Sequence, residues 1–70
     1  MAKANWSDVV ALVGPVFEQG LNPDRQDLVD LAYAEDANDD VIDALDSLGP
    51  RPIVSLDSLK EQLTKNDVLA

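Results

Sequence analysis

Apolar side chains recur at helical intervals in four short segments, and the gaps between them hold residues that stop or start helices. This pattern allows little besides a set of short helices packed on one another. Trp6, Val9, Val10, Val13 and Phe17 follow the i, i+3, i+4, i+7, i+11 spacing of one helix face, which predicts a first helix over about 6 to 19. Asn5 or Ser7 can cap it, and Gly20 suits the left-handed residue that ends it. Pro15 lacks the amide that would bond to Ala11 and crowds that turn, so a kink or two short helices are expected around Gly14-Pro15.

Asn22-Pro23-Asp24 starts a second helix in one of two registers, capped by Asn22 or by Asp24, and the helix runs to about Ala34. Leu28, Leu31, Ala32 and Val29 form its buried stripe, and Asp27 and Asp30 face outward. After a short connection at Glu35-Asp36-Ala37, Asn38 or Asp39 caps a third helix with apolar positions at Val41, Ile42, Ala44, Leu45 and Leu48. Gly49-Pro50-Arg51-Pro52 then forces a turn. Ile53-Val54 is expected as an extended apolar plug, and Ser55 as the cap of a fourth helix that turns Leu56, Leu59 and Leu63 inward. No signal stands out over 65–70, so a frayed tail is expected there. The fold class is therefore all-α: about four short helices around one Leu/Val core, with a Gly/Pro turn and a short extended segment before the last.

Seventy residues make one domain over 1–70, because a chain of this size buries only about 60% of its unfolded surface and cannot divide that burial between two cores. Ten Leu, eight Val and two Ile supply that core, with a margin thin enough that a partner surface, or a second copy in a homodimer, is a natural source of further stability.

The stretch from Asp24 to Leu63 resembles the small bacterial family known as domain of unknown function 2795. That family places a Lys-Asp-Asp-Leu-Val helix start before an Ala-Asp-Asp-Glu-Val start, then a Leu-Pro-Asp-Arg turn and a Ser-capped last helix. Here stand Arg25-Gln26-Asp27-Leu28-Val29, Ala37-Asn38-Asp39-Asp40-Val41, Leu48-Gly49-Pro50-Arg51 and Ser55, with no gap. Ile53 and Val54 replace the aromatic and Asp that the family tends to carry before the last cap. The resemblance implies a compact helical domain and supplies no active site.

Neither Cys nor His is present, which removes disulfides, thiolate nucleophiles, the usual zinc ligands and the commonest neutral-pH base. With no disulfide framework and no basic stretch leading into an apolar run, a cytoplasmic location is expected. A formal net charge of −9 disfavours direct contact with nucleic acid or an anionic membrane. Asp36-Ala37-Asn38-Asp39-Asp40 imitates the start of an EF-hand loop, but Val41 stands where the turn needs Gly and Ser47 where a bidentate Glu is needed. Pairs such as Asp39 and Asp43, or Asp36 and Asp40, would both be wet, whereas acid–base catalysis needs two different environments. Ser7, Ser47, Ser55 and Ser58 have no His to activate them, and the glycines are isolated. No catalytic residue, cofactor or metal is therefore expected.

One feature remains. Nine acids lie between Asp24 and Asp46, opposed by Arg25 alone. Asp36, Asp39, Asp40, Asp43 and Asp46, with Tyr33 as a partly exposed aromatic, form the candidate interaction surface for another protein, one with a basic surface. Helical carboxylates at i, i+3 and i+4 lie about 5 to 6 Å apart, not far from phosphate spacing, so the second reading is an acidic mimic that occupies the groove of a nucleic-acid-binding protein. The plainer reading of such a charge run is solubility.

Overall fold

The computed structural model describes residues 3–70; residues 1 and 2 of the expected domain lie outside that range. Its four helices are α1 (Trp6–Glu18), α2 (Arg25–Ala34), α3 (Asp39–Asp46) and α4 (Leu56–Lys65). The fold is all-α. α2 packs chiefly on α3, while α1 contacts both α2 and α4.

Three of the four starts are set by a capping side chain. Asp24 accepts from the Asp27 amide at 2.9 Å while Asp27 accepts in return from the Asp24 amide, a reciprocal pair that selects Asp24 over Asn22 as the cap of α2. Asn38 accepts from the Val41 amide at 3.0 Å and Ser55 from the Ser58 amide at 3.1 Å. The first helix begins at Trp6 behind Asn5, whose side chain makes no capping bond.

α1 runs through Pro15 as a single helix. The residue before a proline is pushed out of helical geometry partly by its own Cβ, and here that residue is Gly14, which has none. Ala11, whose carbonyl loses its amide partner, is exposed to water. Gly20, at φ 77°, ends the helix with its amide on the Phe17 carbonyl at 3.0 Å.

The core consists of Val9 and Val13 from α1, Leu28 and Ala32 from α2, Val41, Ala44 and Leu45 from α3, Leu59 and Leu63 from α4, and Ala4, Leu48 and Ile53 from the connections. Trp6, Phe17, Val29, Leu31 and Leu56 pack against it half-buried. Lys60 Nζ lies 5.7 Å from the centre of the Trp6 ring, within reach of a cation–π contact. Ile53-Val54 fills the core only by half. The Ile53 amide donates to the Pro23 carbonyl at 2.8 Å and its side chain is buried, whereas Val54 is 69% exposed, because successive side chains of an extended segment point to opposite sides.

Residues 65–70 do not form the frayed tail expected there but are hydrogen-bonded to the rest of the fold. Lys65 belongs to α4, and Asp67 takes up a left-handed conformation at φ 59° that turns the chain back. In that turn the Asp67 amide bonds to the Thr64 carbonyl and the Val68 amide to the Leu63 carbonyl, which satisfies carbonyls otherwise left open at the helix end. The returning chain lies beside Ala4 as a parallel bridge from Ala4 to Leu69. The Ala4 amide donates to the Val68 carbonyl at 2.9 Å and the Ala70 amide to the Ala4 carbonyl at 2.7 Å. Val68 and Leu69 pack half-buried against the core, and Asn66 Nδ2 donates to the Ser47 carbonyl at 3.1 Å, tying the end of α4 to the end of α3.

The end of α2 repeats the same turn. Asp36 stands at φ 56°, with the Asp36 amide on the Tyr33 carbonyl and the Ala37 amide on the Ala32 carbonyl. Glycine is the residue most at ease in this region, but Asp tolerates it through its short polar side chain. Among the described residues no helix is long and apolar enough to cross a membrane.

Candidate interaction surface

The register of α3 decides where its carboxylates go. Val41, Ala44 and Leu45 are buried, and Leu48 continues their stripe just past the helix. Asp39, Asp43 and Asp46, at i, i+4 and i+7, fall on the opposite side and are exposed. Asp40 lies on the flank, partly buried, and Asp36 occupies the exposed left-handed turn before the helix. The fold thus brings Asp39, Asp43 and Asp46 onto one face and leaves Asp40 and Asp36 beside it.

Among the described residues no cation comes within 4 Å of these five; the ion pair found there is Lys3 with Asp67, 2.6 Å apart and exposed. Asp39 and Asp40 also occupy the first turn of α3, where the helix dipole favours negative charge. The EF-hand likeness ends in the same place. Asn38, third in that pattern, uses its side-chain oxygen to cap α3, and the chain becomes helical at Asp39 instead of winding around an ion. No group of three or more acids among the described residues is placed to hold a metal.

Tyr33 is 66% exposed, off the Leu28 and Ala32 stripe that holds α2 down. Arg51, in the turn before α4, is exposed and has no acid within 4 Å among the described residues.

One surface escaped the sequence reading. A groove of about 630 Å³ runs between the end of α1, the 20–24 connection and α2, lined by Val16, Leu21, Pro23, Leu28, Leu31 and Ala34. Asp27 and Asp30 also line it. Leu21 is 52% exposed. Two signals pointed to it: Val16 sits one place off the main stripe of α1, and Leu21 follows the glycine that ends the helix, a position often used for an apolar contact.

No family model, curated protein or solved structure matches this chain.

Proposed function

We propose that this chain is a small, non-catalytic protein-interaction module of the cytoplasm whose partner presents a basic surface. The observation that supports this reading is the α3 face. Asp39, Asp43 and Asp46 stand together in water, and no cation of the described chain neutralises them. Leaving like charges together carries a repulsive cost, which a complementary positive surface relieves while also speeding encounter. Mimicry of nucleic acid is the more specific version of the same reading, favoured by the helical spacing of those carboxylates. The likeness of 24–63 to domain of unknown function 2795 is a proposal of kinship and adds no activity.

Affinity capture from native lysate at low and moderate salt tests the module. Replacing Asp39, Asp40, Asp43 and Asp46 with Asn is expected to abolish capture of the basic partner and leave the helical circular-dichroism spectrum intact, since none of the four belongs to the core. Capture unchanged in that variant would refute the reading. For mimicry, the captured partner must also be released by added DNA or RNA.

A further inference from the structure

We infer that the groove between α1 and α2 seats a basic amphipathic helix of the partner protein, an inference that rests on the basic-partner reading above. Its floor is Leu28, fully buried, and its walls are Val16, Leu21, Pro23, Leu31 and Ala34. From Asp27 to Ala34 the α2 side of the groove extends two helical turns, about 10 Å. That length matches a docked helix presenting apolar anchors at i, i+3 or i+4, and i+7. A space of about 630 Å³ accommodates several aliphatic side chains at once. Leu21, half out in water at this groove, is apolar area that the isolated chain does not bury.

Charge selects the occupant. Asp27 Oδ2 accepts from the Asp24 amide and Asp30 Oδ1 from the Gln26 side chain at 2.8 Å, both neutral donors. Neither carboxylate has a cation within 4 Å among the described residues. A helix with Lys or Arg flanking its apolar stripe supplies that counter-charge beside Asp27 and Asp30 while its anchors fill the groove. A second copy of this chain does not suit it. A two-fold contact here would bring the Asp27 and Asp30 of both copies together, and each copy carries a net charge of −9.

The test is a nuclear magnetic resonance titration of the isotope-labelled protein at low salt with two synthetic 18-residue Leu/Lys helices of identical composition. One carries leucines at i, i+3, i+4 and i+7; the other has them scattered around the helix. The striped peptide is expected to bind saturably and shift Val16, Leu21, Leu28, Leu31 and Ala34. Leu21→Asp makes the domain more acidic but less apolar at the groove, so it separates the two forces. Docking in the groove predicts affinity weaker by about tenfold, whereas charge alone predicts tighter binding. Asp30→Lys, a second exposed position, is expected to weaken the striped peptide as well.

Equal binding of both peptides with shifts confined to α3, or undiminished affinity in Leu21→Asp, overturns the groove and leaves the basic-partner reading standing. Binding of neither peptide overturns both. A protein that sediments as a dimer through this face, with the peptide excluded, also overturns the inference.

Discussion

Leu59→Ala is expected to remove a large share of this domain's stability. Leu59 is fully buried, on the inner face of α4 in the core that all four helices share. Truncating such a leucine removes its transfer free energy and leaves a cavity, a combined cost of about 2–5 kcal/mol. A seventy-residue domain has only about 4–10 kcal/mol of stability from which to absorb that loss. Urea denaturation followed by circular dichroism reads the effect as a large drop in midpoint with little change in slope. A midpoint within error of the wild type would mean that Leu59 is not inside.

Removing residues 68–70 is the second large effect. A chain ending at Asp67 loses the Ala4-to-Val68, Ala70-to-Ala4 and Val68-to-Leu63 hydrogen bonds, together with the half-buried Val68 and Leu69 side chains. It also uncovers Ala4, which is 2% exposed in the intact fold. Three hydrogen bonds at about 1 kcal/mol each, plus part of the burial of two aliphatic side chains, give an expected loss of about 3 kcal/mol or more. The Lys3–Asp67 ion pair adds little, being exposed. A frayed tail would instead give a change below about 0.5 kcal/mol in the same urea titration.

The contrast between those two regions shows what could be read from the residues. Core positions such as Leu28, Leu45 and Leu59 were legible because helical periodicity and burial share one cause, and Asp24, Asn38 and Ser55 because capping is local chemistry. The turn after α4 was not, because the left-handed residue there is Asp67 where a glycine would have announced it. Its bonding to Ala4 spans most of the chain, and no local pattern encodes such a pairing. Pro15 misled in the other direction. Its cost is real, but Gly14 before it and the exposed position of Ala11 let α1 continue.

The candidate surface divides in the same way. Outward placement of Asp39, Asp43 and Asp46 follows from the α3 stripe and was legible in advance, as was the exposure of Tyr33. The groove required tertiary structure. Val16, Leu21 and Leu31 come from three different parts of the chain, and only the packing of α1 on α2 sets them around one space.

Both surfaces work as described only if the domain closes its own core before any partner arrives. Amide hydrogen exchange on the isolated protein reports this residue by residue. Slow exchange at Leu45, Leu59 and Leu63, shared by Ala4 and Ala70 on the opposite side of the chain reversal, is the expected result. Core amides that become protected only when a partner is added, or Ala4 and Ala70 exchanging at unprotected rates while the helices hold, would contradict it.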